Sequence, residues 1–499
     1  AWAGGHGISD LAGNPFAGSG WSLTLNPALQ PGDVIINEFV AGNTAGLLDE
    51  DGEPQDWIAL YNRGTNAVNL LGWSLSDNPN APGLWTFPTQ VLNPGQYLVV
   101  FASGKDRRAP VGSNKYHTNF KLDLFGEYLA LYNAESPRVP VSEFAPKFPE
   151  QRNNYSYGRD ATNALRYFQT PTPGAANGSS FLVGLAAEPH FSVPRGLFST
   201  SFNLLLTTAQ PGAIIRYTLN GSEPTLVNGL TYTGPLTFTN TTIVRAATFA
   251  SGFLPSRSAT HSYFYLDNVL TQPNNPPNQP ATWGTRTGVG FTNDLIPADY
   301  EMDLDPVRVT PTNANSAIDP VKLQRLKDGL RELPVVSLVM DNADLFAPTG
   351  IYSYPNVNNK DFPEKPCSLE MILPDGSTAF ATTAGIKAHG NASRAPEKNP
   401  KHGFGLKFSG DFGPTALEYQ LFPDSPATKH DDLVLRADFG VSWRHWSDSP
   451  NGAGSYQRTR ASRFRDAWMK HAQRDLGGVA GHTRYCHLFM NGLYWGTYD

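Results

Sequence analysis

Val34-Ile35-Ile36-Asn37-Glu38-Phe39, followed by Asp56-Trp57-Ile58-Ala59-Leu60-Tyr61-Asn62, decides how this chain folds. Both runs are short, rich in β-branched and aromatic residues, and flanked by turn formers, so they read as strands. Leu71-Gly72-Trp73-Ser74-Leu75-Ser76-Asp77, Pro94-Gly95-Gln96-Tyr97-Leu98-Val99-Val100-Phe101 and Glu127-Tyr128-Leu129-Ala130-Leu131-Tyr132-Asn133 repeat the pattern at close intervals. Strands and turns at this spacing predict a β-sandwich from Asp33 to about Asn133.

The bulk composition agrees. A chain of 499 residues has room for about three or four domains. Its 47 glycines and 41 prolines favour many short strands over long helices. A net charge of −6 argues against nucleic acid as a general partner, and no apolar run of ~20 residues predicts a membrane span. Cys367 and Cys486 are the only cysteines, too few for a disulfide framework or a cysteine-based zinc site.

Working outward, residues 1–29 read as the last strands of an Ig-like repeat, 30–135 as the sandwich and 136–180 as a connector. A second β-module spans 181–267. Its clearest phrase is Ile214-Ile215-Arg216-Tyr217-Thr218-Leu219-Asn220-Gly221, with Asn220-Gly221 as a hairpin turn. Tyr217 and Tyr232 there are either sugar-stacking platforms or core. Residues 268–298, rich in Pro, Asn and Gln, read as a linker. Residues 299–499 mix strands with helices. Pro320 to Leu330 and Arg460 to Leu476 carry helical apolar spacing, while Leu333 to Met340 and Leu433 to Ala437 are apolar strands.

Two places carry candidate chemistry. Asp49, Asp51 and Asp56 crowd carboxylates into one loop. Either calcium binds them or the loop is a solvated acidic one. In the last segment His389-Gly390-Asn391-Ala392-Ser393-Arg394 leads to Pro400-Lys401-His402-Gly403-Phe404-Gly405-Leu406-Lys407-Phe408. A glycine-centred polar turn with cations on the next strand can hold a phosphate. The same residues also suit an ordinary hairpin with solvated lysines.

Together the phrases of the first sandwich resemble the lamin tail domain, and those of 181–267 the small C-terminal module of chitobiase-type enzymes. From about Asp299 onward, the order Leu333–Met340, Ser368–Gly376, Ala384–Arg394, Leu433–Ala437 and His487–Tyr498 resembles the CotH family of atypical, spore-coat-type protein kinases. The resemblance implies a fold of mainly β modules (Ig-like sandwiches) followed by an incomplete α+β kinase-like domain. It implies a bacterial protein at the cell surface or outside the cell, using ATP with magnesium or manganese to phosphorylate a secreted or surface protein. Asn391, Ser393, Arg394, Lys401 and Lys407 would then lie near the nucleotide phosphates, with Glu370 orienting one of the cations. The alternative is a non-catalytic adhesion or polysaccharide-binding protein.

The sequence departs from that family in two ways, one of them after the Leu433–Ala437 strand, where the family usually carries polar residues and this sequence has Asp438-Phe439-Gly440-Val441-Ser442-Trp443. The family's metal-binding and catalytic acids follow the Asn491-Gly492-Leu493-Tyr494-Trp495-Gly496 phrase, and the sequence ends four residues after Trp495. Leu488, Phe489, Leu493 and Trp495 are therefore expected to lack part of their cover. Asp438-Phe439-Gly440 and Asp411-Phe412-Gly413 spell or nearly repeat the kinase magnesium tripeptide, but no H-R-D loop precedes them, so both read as turns.

Overall fold

The computed structural model describes residues 33–109, 115–288, 291–302, 319–352, 364–390, 392–394, 401–410, 412–437 and 462–499. The segment 1–29, Asn391, Asp411 and Asp438 lie outside them. The architecture is mainly β, and the chain divides into two compact units. One takes the residues up to Leu122 and Gly126–Ser180; the other takes Asp123–Phe125 and Phe181–Asp499. No helix among the described residues is long and apolar enough to cross a membrane.

The first unit is a sandwich. Its six-stranded sheet runs Leu165–Phe168, Ser156–Arg159, Val34–Val40, Trp57–Asn62, Tyr97–Phe101, Tyr116–His117. The opposing sheet runs Pro140–Phe144, Leu129–Tyr132, Ser74–Ser76, Trp85–Thr86. Val34, Ile36, Phe39, Ile58, Leu60, Leu75, Trp85 and Leu131 fill the space between them, as alternating inward residues should. The expected connector 136–180 is instead part of this sandwich, supplying three strands. Glu38 explains why. It is fully buried and accepts bonds from Ser156 Oγ, the Thr172 backbone N–H at 3.1 Å and Thr172 Oγ1 at 2.9 Å. A buried carboxylate needs such donors, so it fastens the later segment to the first strand. Burial raises the pKa of Glu38 from its ordinary value, while these donors pull it back.

In the second unit, the module's five-stranded sheet runs Gly196–Leu197, Ala259–Phe264, Thr242–Phe249, Ile214–Thr218, Leu230–Thr231. Phe191, Leu204, Tyr217, Phe238, Val244 and Tyr263 form its core. Asn220-Gly221 is not a two-residue hairpin, because residues 219–229 connect the strands on either side of it. Gly221 has φ +82°, and a Cβ there would meet Met340 O at 2.6 Å. The glycine is needed because the two backbones touch.

The expected linker 268–298 is folded as well. A 3-10 turn, Leu266–Thr271, leads to the hairpin Thr282–Gly288 and Phe291–Pro297. Trp283 is buried and its indole N–H donates to Tyr300 Oη at 2.9 Å. Composition averaged over the stretch concealed these anchoring aromatics.

The C-terminal domain is a seven-stranded sheet in the order Asp432–Leu435, Gly403–Lys407, Thr378–His389, Lys365–Ile372, Val335–Val339, Cys486–Met490, Leu493–Tyr498. Val335–Val339 pairs in parallel with Cys486–Met490, and Met340 N–H donates to Asn491 Oδ1 at 2.9 Å across 151 residues. The two edges of the sheet meet at Arg436 and Asp499. Their backbones exchange hydrogen bonds of 2.8 and 3.4 Å, so the sheet curls towards a closed barrel. Leu338, Leu369, Ile386, Phe404, Leu488 and Trp495 pack inside. Contrary to expectation, Leu488, Phe489 and Trp495 are buried to within 1 %. Phe464, Trp468, Met469 and Leu476, on and beside the helix Arg465–Asp475, are among the exposed apolar residues, and Trp468 is 62 % exposed. The helix Pro320–Gly329 begins at the expected proline, and Asp319 caps it by accepting from the Val321 N–H.

Candidate functional site

Strand Thr378–His389 alternates Ala384, Ile386 and Ala388 inward with Gly385, Lys387 and His389 on the other face. Its partner strand places Lys407 opposite Gly385 and Gly405 opposite Lys387. Each glycine leaves room for the lysine across from it, and both lysines turn to one carboxylate. Lys387 Nζ lies 3.0 Å and Lys407 Nζ 3.8 Å from Glu364 Oε1. Beyond His389 the chain turns at Gly390, φ +105°, into the short 3-10 turn Ala392–Arg394. Any side chain on Gly390 would collide with Ser393 Oγ.

Partial burial lowers the pKa of His389, and Arg436, Arg394 and Lys387 lower it further. Lys387 is paired with Glu364 and Arg436 with Asp466, and Arg394 adds a further positive charge beside the glycine turn, where backbone N–H groups and cations suit an anion. Arg436 is fixed by Asp466 of the helix Arg465–Asp475 and lies 3.5 Å from Asp499, while Lys470 holds Asp466 at 2.7 Å.

The residues named from sequence divide. Ser393, Arg394 and Lys407 lie at or beside this cluster. Lys401 Nζ stands 5.9 Å from the Trp495 ring centre. Glu370 orients neither lysine. It is buried against the preceding module, where Arg195 Nε lies 2.5 Å from it, off the line of an ideal hydrogen bond, and Ser262 donates to it. Lys387, Glu364, Arg436 and Asp466 were missed. The alternation around Ile386 carried a signal for Lys387, and the Asp466/Lys470 spacing one for the helix pair.

The acidic loop of the first unit also differs from expectation. Lys105 Nζ sits 2.5, 2.6 and 2.7 Å from Asp49, Asp51 and Glu53, taking the position expected for calcium. Asp56 faces elsewhere and accepts the N–H groups of Gly42 and Asn43 at 2.7 and 2.9 Å. Lys105→Met should lower the melting temperature of this unit by a few degrees, because it leaves Asp49 and Glu53 facing each other without their cation and Asp51 with Arg107 alone. Millimolar calcium should restore part of the loss and leave the parent unchanged. Differential scanning fluorimetry with calcium and with chelator checks this.

Nearby, Ser103 Oγ lies 2.7 Å from His117 Nδ1, and His117 Nε2 lies 2.9 Å from Glu50. The three resemble a nucleophile relay, yet Ser103 and His117 are buried and Ser103 Oγ already accepts Lys105 N–H at 3.2 Å. A substrate has no route to that oxygen, so the arrangement is structural.

Two family models match the chain: the Lamin Tail Domain over residues 27–144 and the Chitobiase/beta-hexosaminidase C-terminal domain over 193–262. Neither reaches the C-terminal barrel. No curated protein matches. The matches and the two β cores describe a multidomain protein built on Ig-like modules.

Proposed function

We propose that this chain is an adhesion-type protein displayed outside the cell, whose C-terminal domain binds the phosphates of ATP beside His389. Lys387 and Lys407 on adjacent strands, Arg394 on the turn that follows His389 and Arg436 at the sheet edge support this reading. Protein kinases hold ATP with a loop over the phosphates, a strand cation and a helix carboxylate that pairs with that cation. The turn Ala392–Arg394, Arg436 after strand Asp432–Leu435, and Asp466 supply comparable parts. The likeness is an analogy of parts.

Transfer to a secreted or surface protein is the further activity that the resemblance implies. It would use magnesium or manganese held by carboxylates. Asp466 is engaged by Arg436 and Lys470, and Asp499 faces Arg436. These residues do not fit a metal site, and no metal step is assigned to them. A polysaccharide partner for the chitobiase-type module rests on the family match, since Tyr217 is core and Tyr232 packs against it.

Titration with a fluorescent ATP analogue tests the proposal. Saturable binding is expected, weakened about tenfold by Arg394→Ala or Lys387→Ala and weakened further by salt. Absence of binding, or indifference to both substitutions, would remove the site. In a radiolabelled ATP assay the same chain should bind nucleotide without transferring phosphate.

A further inference from the structure

A cavity of about 260 Å³ lies between the curled sheet and the helix Arg465–Asp475. Val336, Leu369, Met371, Leu406, Leu433 and Phe422 line it. Leu369, Met371 and Leu406 are at most 2 % exposed, so this wall is preformed core. The rim is polar and its charges are unevenly matched. Arg436 and Lys470 are held by Asp466, and His482 Nδ1 lies 3.0 Å from Asp424. Asp432 on the same rim is exposed to water. Arg484 differs: it donates to the Leu421 carbonyl at 3.0 Å and has no carboxylate partner among the described residues. His430 also lines the cavity, and its Nε2 is buried without a hydrogen-bond partner.

An apolar chamber with a few polar groups on its rim is the usual form of a small-molecule site. A buried ring nitrogen without a partner is a group that a ligand can satisfy. A guanidinium without a carboxylate matches a carboxylate head by its paired N–H donors.

We propose that this cavity binds a small amphipathic carboxylate. Its apolar chain would lie against Leu369, Met371 and Leu406, and its head would be received by Arg484 and His430. The volume falls below the ~300 Å³ at which ordinary ligand pockets begin, which favours a short chain. This site does not depend on the nucleotide reading, and its test contains no nucleotide.

The test is isothermal titration of the full 499-residue chain with octanoate and with octan-1-ol, which shares the apolar body but lacks the charge. Octanoate should bind saturably at one site, about tenfold or more tighter than the alcohol. Arg484→Gln, at a partly exposed rim position, should bring octanoate down to the level of the alcohol. Met371→Trp should fill the chamber and abolish binding of both. The proposal is overturned if octanoate does not bind, if the two probes bind equally to the parent, or if Arg484→Gln keeps the discrimination. Because the rim variant alone decides the point, misfolding of the Trp variant would not obscure the result.

Discussion

Arg195→Ala is expected to destabilise the unit containing Phe181–Asp499 by about 3–5 kcal/mol, because it leaves a buried carboxylate without its cation. Glu370 is 1 % exposed, and burial pushes its pKa up while Arg195 and Ser262 oppose that rise. Around it Ser262 Oγ meets Ser337 Oγ, and Thr260 Oγ1 meets Ser368 Oγ, each at 2.8 Å. Phe264 packs on Phe489 beside this polar seam with ring centres 4.3 Å apart. Urea denaturation of the full chain, followed by hydrogen exchange in strand Lys365–Ile372, measures the loss. Without Arg195 the acid should take up a proton more readily, so the penalty should be smaller at pH 5 than at pH 7. Adding Glu370→Gln to Arg195→Ala should recover much of the stability. A single substitution costing less than about 1 kcal/mol would show that the seam is incidental.

Asp56→Asn should make the sandwich more stable at pH 7, by up to about 3 kcal/mol, and should change it little at pH 4. Burial raises the pKa of Asp56 to about 6, against the pull of the Asn43 and Gly42 N–H groups and of Lys121. A carboxyl whose folded pKa is raised contributes stability that is complete below its unfolded value. That contribution fades as pH rises through 6. Asparagine keeps the Oδ1 that accepts the Gly42 and Asn43 N–H groups, yet cannot ionise. Glu50 and Asp51 act in the opposite sense. Each is lowered to about 2: Glu50 against its partial burial, by His117 and Arg107, and Asp51 by Arg107 and Lys105. Their contribution is present above the ordinary carboxylate range and fades as pH falls towards 2. The informative quantity is therefore the difference between parent and variant in hydrogen exchange of strands Trp57–Asn62 and Tyr97–Phe101. A difference that stays constant from pH 4 to pH 7 would contradict the assignment.

What the sequence disclosed and what it withheld follow from distance along the chain. Strands such as Val34–Val40 and Trp57–Asn62 were legible because their composition and turn residues are local signals. Membership of 136–180 in the sandwich was not, because Glu38 must meet Ser156 and Thr172, 118 and 134 residues later. The helix Arg465–Asp475 was found by its period, but its apolar face is turned to solvent, and periodicity alone cannot show what covers a face. At the candidate site the glycine turn and Lys407 were readable. The pairing of Arg436 with Asp466 was not, since it appears once the sheet has curled until its edges meet.

The parallel pairing of Val335–Val339 with Cys486–Met490 imposes an order on biogenesis. A ribosome adding roughly 5–20 residues per second takes on the order of ten to thirty seconds to make the 151 residues that separate Met340 from Asn491. Throughout that interval the apolar segment Val335–Met340 has been made and lacks its parallel neighbour, although the antiparallel one, Lys365–Ile372, follows it closely. The nascent domain therefore carries an incompletely paired apolar strand until its last two strands arrive, whereas the first sandwich, whose unit ends at Ser180, can fold while synthesis continues.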